Sequence, residues 1–246
     1  MLFNPAIAGL TFRQSLARRR WMIVVILAAL PILMALASRV YRGDDEPISA
    51  VVEILSTLTV VVVVPVTALI LASSGFGAEV DDGTVVYLLT KPISRVEIVA
   101  TKLLVTAAIC VVATTVSTLA TGLVGLHELD KTRLVLGFTA AVAVGSALYT
   151  AIFLALGLIT RRGMLVGLVY MVIWEGVIGS LFPGARSLSV RQYMLSITDA
   201  ISTVDPMVHL SQLPKATAWE MSAVVAIAMV ALCIHRLRTF EVGQAS

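Results

Sequence analysis

Residues 134–160 read LVLGFTAAVAVGSALYTAIFLALGLIT, 27 positions without a charged side chain, stopped by Arg133 on one side and by Arg161 and Arg162 on the other. A helix rises about 1.5 Å per residue and bilayer hydrocarbon is about 30 Å thick, so about 20 apolar residues suffice to cross it. This stretch therefore reads as a transmembrane helix.

Five further stretches qualify: roughly 21–38, 54–76, 103–126, 164–182 and 219–234. The composition agrees. Hydrophobic residues make up 59% of the chain and charged residues 13%, with a mean hydropathy of +0.98, against about 25% charged residues in a soluble domain. A water-soluble core cannot absorb that excess, so lipid is the solvent for most of it. The reading is an all-α membrane protein of about six transmembrane helices, with residues 1–246 forming a single transmembrane domain. Pro31 and Pro65 fall inside the first two spans, where kinks are expected. Thr217 and Glu220 form a T-x-x-E capping box that places the start of the last span.

The net charge of +3 comes from short basic clusters between apolar runs, which is a topology signal and not a nucleic-acid surface. With the N-terminus in the cytoplasm, eleven Lys and Arg residues fall on the inner side and seven on the outer. Arg18 to Arg20 and the Arg161-Arg162 pair lie tight against span ends. Both termini are therefore assigned to the cytoplasm of a multi-pass cell-membrane protein. The first 20 residues lack the short apolar core and small-residue cleavage site of a removable signal peptide; residues 4–20 read instead as an interfacial helix leading into the first span. Cys110 and Cys233 sit within apolar runs and imply neither a disulfide nor a metal framework.

Two connections are too long for simple turns. The outer one, 183–216, carries Ser189 and Gln192 as a capping box, followed by Val190, Tyr193, Met194, Ile197 and Ile201 at helical spacing. This predicts an amphipathic helix between spans 5 and 6, lying at the outer interface or packed on the span ends. The inner one, 77–102, is heavily punctuated. Asp82 or Gly83 can cap a short helix, with acids at its positive end and Val85, Val86, Leu88 and Leu89 forming an apolar surface. Pro92 stops it, and Ser94 with Glu97 caps a second helix that runs into the third span. The result is a short helix on the cytoplasmic face, bracketed by breaks.

The pattern Glu79, Gly83, Thr84, Leu88, Leu89, then Pro92, Ile93, Ser94, Arg95 and Lys102 resembles the ABC-2 type transporter permeases. The six-span layout fits, as do Trp174, Glu175 and Gly176 in the fifth span and Pro183, Gly184, Ser189, Gln192 and Tyr193 beyond it. The resemblance implies a permease subunit of an ATP-driven exporter, paired with a second permease, identical or paralogous, and with two copies of a separate ATPase. It also implies that the segment after the second span is the coupling helix seated in the ATPase, with Glu79, Gly83, Thr84, Leu88, Leu89, Lys91, Pro92, Ser94 and Arg95 at the contact. ATP and Mg would be bound by that partner, since no G-x-x-x-x-G-K-[ST] sequence occurs in this chain. The 39–53 connection is too short for the large outer domain of some relatives.

Other candidates compete less well. Glu79, Asp81 and Asp82 could be catalytic or metal-binding carboxylates, but no His or Cys lies nearby and capping already accounts for them. His127-Glu128 is half of an H-E-x-x-H motif whose second His is replaced by Lys131. Glu175 is the one acid well inside a span; it either lines a translocation path or fixes packing beside Gly176 and Gly179. Gly137, Ala141 and Gly145 form a small-residue stripe that permits close helix approach. An ion-coupled secondary transporter is the alternative function, though such proteins usually carry several intramembrane ionisable residues.

Overall fold

The structure is a computed structural model that describes residues 5–15, 18–42, 47–73, 94–126, 132–160, 162–179, 183–202, 210–211 and 213–239. Its described residues form eight helices and no strand. They are α1 (Pro5–Ser15), α2 (Arg18–Arg42), α3 (Pro47–Glu53 continuing through Ile54–Val63 and Val64–Ala72), α4 (Arg95–Gly125), α5 (Thr132–Ile159), α6 (Gly163–Val169 continuing through Tyr170–Ile178), α7 (Val190–Ile201) and α8 (Lys215–Thr239). Among the described residues, five helical stretches are long and apolar enough to cross a membrane: Arg20–Tyr41, Ile48–Ala72, Val96–Gly125, Thr132–Ile159 and Lys215–Leu237.

The quoted run, α5, is the hub. It packs against α3, α4, α6, α7 and α8, and 72% of its apolar window is buried, against 17% for α2 and α8. A helix apolar all round is stable only if neighbours or lipid cover every face; α5 takes the neighbours and the outer helices take the lipid.

Hydroxyls stitch the central helices together where lipid offers no competing water. Thr114 on α4 and Ser146 on α5 share a 2.8 Å hydrogen bond, and Ser117 donates to the Ala28 carbonyl on α2. Arg39, near the end of α2, donates to the Val124 carbonyl at 3.0 Å, placing a cation on the negative C-terminal end of α4.

The second span, where a proline kink is expected, winds wide ahead of Pro65. Residues Ile54–Val63 turn with i→i+5 bonds, and the Val64 N–H closes the segment on the Thr59 carbonyl. Pro65 follows directly, and looser winding ahead of it relieves the clash between its ring and the preceding turn.

Of the fifth span expected at 164–182, the described residues form the apolar helix Gly163–Ile178, about 24 Å long at the α-helical rise, and 180–182 lie outside the described residues. Two sequence expectations need correction. The last span begins at Lys215, with the Ala218 N–H bonded to the Pro214 carbonyl, so Thr217 lies inside the first turn and caps nothing. The helix beyond span 5 lies along α5 and not across the bundle's end. Its register shows this. A Cβ on Gly145 would collide with the side chain of Met194, and one on Gly137 would sit 3.1 Å from the Thr198 carbonyl oxygen.

The small-residue stripe is therefore the seat of α7. Val190 and every residue from Tyr193 to Thr198 are buried, and the hydroxyls among them are satisfied inside the bundle. Ser196 donates to the Leu213 carbonyl at 3.0 Å and Thr198 to that of Met194 at 3.0 Å.

Overpacking at this seat is expected to destabilise by about 2 kcal/mol. Thermal unfolding in detergent micelles checks it: Gly145→Val lowers the midpoint, Met194→Ala in the same chain recovers part of the loss, and Gly9→Ala, at a position with open space around it, changes little.

Candidate functional site

Two places in the sequence were singled out. The coupling segment enters the described residues at its end. Ser94 is extended, and its hydroxyl accepts the Glu97 N–H at 3.2 Å; α4 starts at Arg95 and continues for 31 residues without interruption. Glu79, Gly83, Thr84, Leu88, Leu89, Lys91 and Pro92 lie outside the described residues. So do His127, Glu128 and His209. Among the described residues no group of three or more His, Cys, Asp or Glu side chains could hold a metal.

The second place is the break after α6. Residues Tyr170–Ile178 wind with i→i+5 bonds, ending where the Gly179 N–H meets the Trp174 carbonyl. Wide turns of this kind recur at functional sites. A 3-10 turn, Pro183–Leu188, then leads to Ser189 and α7. Gly179 packs its α-carbon against Ser189, where an added Cβ would stand 3.4 Å from the serine Cβ and Oγ.

At this break Glu175 is 5% exposed. Its Oε1 accepts the Val190 N–H at 2.9 Å, and its Oε2 accepts the Ser189 hydroxyl at 2.6 Å and the Arg191 N–H at 3.4 Å. The Tyr170 hydroxyl donates to Oε1 at 3.4 Å. Tyr149 of α5 brings a further hydroxyl to the carboxyl. Four of the first N–H groups of any helix have no partner within it. Here a carboxylate from another helix takes two of them, at the end where the helix dipole favours negative charge.

The rest of the node is hydrogen-bonded in turn. Tyr193 donates its hydroxyl to the Ser187 carbonyl, and the Trp174 indole donates to the Leu188 carbonyl at 3.4 Å. Tyr149 stacks on Phe153, which meets the Tyr170 ring edge-on at 6.2 Å.

The sequence marked Glu175, Ser189, Gln192 and Tyr193 but not their connection. The capping box forms only in its forward half: the Ser189 hydroxyl accepts the Gln192 N–H at 3.4 Å. The Gln192 carboxamide oxygen instead accepts the Ser211 hydroxyl at 3.1 Å, because Glu175 already occupies the helix start. Tyr149 and Tyr170 went unmarked. A tyrosine inside an apolar span is a usable signal, since its hydroxyl needs a partner when buried.

The arrangement holds a helix N-terminus closed within an apolar bundle. The positive helix end that could receive an anionic ligand is occupied by Glu175.

The family described as "ABC-2 family transporter protein" matches residues 6–240. Comparison with curated proteins finds no match.

Replacing Glu175 by Leu leaves buried N–H groups and a hydroxyl unpaired, at a cost of about 2–3 kcal/mol. Hydrogen–deuterium exchange reads the consequence: amides at 190–192 exchange faster in Glu175→Leu, and less so in Glu175→Gln, which retains an acceptor. Unchanged protection in the Leu variant rules out the capping role.

Proposed function

Because this chain belongs to the ABC-2 family of transporter proteins, and so is a multi-pass permease component of an ABC transporter, we propose that it forms half of the translocation path of an exporter driven by a separate ATPase. The observation that carries this reading is the family match over residues 6–240, which takes in the whole helical bundle. Permeases of this family associate with an ABC ATPase and usually with a second permease.

In this reading two ATPase copies bind ATP and Mg, and a second permease, identical or paralogous, supplies the other half of the path. The segment 79–95 is the contact with the ATPase. Leu88 and Leu89 seat in the partner, while Glu79, Lys91 and Arg95 lie around the rim. Gly83 and Thr84 start the contact helix, and Pro92 and Ser94 end it and begin the next.

The physical support is mechanical. The Ser94 cap starts α4 directly after this segment, and α4 is bonded to α2 and α5 through Ser117 and Thr114. A displacement at residue 95 therefore reaches the centre of the bundle along one uninterrupted helix. The basic clusters Arg18 to Arg20 and Arg161-Arg162 support placing both termini and the contact segment in the cytoplasm, at the cell membrane.

Two measurements test the proposal. Apolar anchors at the centre of an interface contribute most of its affinity, about 2 kcal/mol or more when truncated, whereas rim charges contribute little. Leu88→Ala with Leu89→Ala is thus expected to lower recovery of the co-purifying ATPase at least tenfold from mild detergent and to uncouple ATP hydrolysis from transport, with the permease still folded and inserted. Wild-type protein that brings down no ATPase, or a double variant that retains it, refutes the contact. In the second measurement, a cysteine at Thr90 stays unlabelled by an impermeant maleimide applied outside intact cells. Efficient labelling reverses the orientation.

A further inference from the structure

A groove of about 440 Å³ opens between α2 and the wide-wound half of α3, with Met34, Tyr41, Glu53, Ile54, Thr57 and Leu58 among its lining residues. That volume falls in the range of small-molecule sites, which are mostly apolar with a few polar groups to fix orientation. Wide winding over Ile54–Val63 spaces the α3 side chains differently from an α-helix, and Ile54 is buried while Thr57 on the same wall stays exposed.

Among the described residues, Glu53 is the only charged one in the lining. It is exposed, and no hydrogen bond or ion pair to its carboxylate occurs among the described residues; its backbone carbonyl accepts the Ser56 hydroxyl at 3.4 Å. On α2, the guanidinium of Arg39 is engaged with the Val124 carbonyl at the end of α4. A carboxylate beside an apolar groove selects by charge. An organic anion is repelled, and a neutral apolar molecule gains nothing over the surrounding lipid. A cation with an apolar body satisfies both features. The exposed ring of Tyr41 offers a further attraction through its π face.

We propose that this groove binds lipophilic monocations, with their apolar body against Met34, Ile54 and Leu58 and their charge beside Glu53. The site stands whether or not it lies on the transport path, and its test requires no transport.

The probe is tetraphenylphosphonium, measured by equilibrium dialysis against the full chain in phosphatidylcholine nanodiscs, with empty nanodiscs as the baseline and tetraphenylborate as the anion of the same shape. Saturable phosphonium binding above the empty discs is expected, with no matching borate site. Glu53→Gln should weaken it about fivefold, the upper end for a solvent-reached ion pair. Thr57→Phe should abolish it by filling the groove. Both positions are exposed, so the variants keep their fold. Binding no greater than in empty discs, equal affinity in Glu53→Gln, or borate binding as tight as phosphonium each overturns the proposal. Efficient disulfide cross-linking between two Thr57→Cys chains also overturns it, since a second permease would then fill the groove.

Discussion

A backbone N–H inside a membrane bundle has no water to fall back on, and each one left unpaired there costs several kcal/mol. The break between α6 and α7 creates such groups at the start of α7, and Glu175 takes them. Everything around the break is arranged for that contact. Wide winding over Tyr170–Ile178 carries the carboxylate to it, Ser189 supplies the cap of α7 and is itself held by Glu175, and the glycines of α5 let α7 come close enough to be reached. Without the carboxylate the Val190 and Arg191 N–H groups at the start of α7 would lose their acceptor.

The same logic explains why α5 is central. Its neighbours meet it through hydroxyls and glycines and not through large apolar side chains alone, because within lipid the hydrophobic effect does not distinguish a helix partner from an acyl chain. The bundle is held by close approach and by directed bonds such as Thr114 to Ser146 and Ser117 to Ala28. Directed bonds define positions. That suits a permease component, whose α4 is about 46 Å of uninterrupted helix joining the segment after the second span to the hub. The end of the bundle shared by α2 and α4 is fixed by Arg39 on the α4 C-terminus.

Much of this was legible in the sequence because apolar length is a local property. The start of α4 was readable for the same reason: Ser94 and Glu97 lie within one turn. The stripe Gly137, Ala141, Gly145 was readable as a close approach, but not its partner, since a glycine records that something comes near and not what. Failures came where a distant residue overrode a local rule. Ser189 and Gln192 look like a complete capping box until Glu175, 14 residues upstream, claims the helix start and Ser211 claims Gln192. The spacing of Val190, Tyr193, Met194, Ile197 and Ile201 left α7 at the outer interface or on the span ends, because it does not show that the Ser196 and Thr198 hydroxyls between them bond to carbonyls inside the bundle and can be buried. Lys215 begins α8 two residues before the local box at Thr217, because the Pro214 carbonyl is already positioned to accept the first helical bond.

The central claim is that α7 stands upright along α5, its start deep in the bundle and its end near the surface. Nitroxide depth measurement tests this most directly, using collisions with oxygen and with a water-soluble nickel chelate in reconstituted bilayers. Leu188 and Ile201 are both exposed and flank the helix. The account predicts that a label at Leu188 lies deep in hydrocarbon and favours oxygen, whereas one at Ile201 lies near the headgroups and favours the chelate. Equal, shallow depths at the two positions would mean that α7 lies flat on the membrane surface, and would contradict the account.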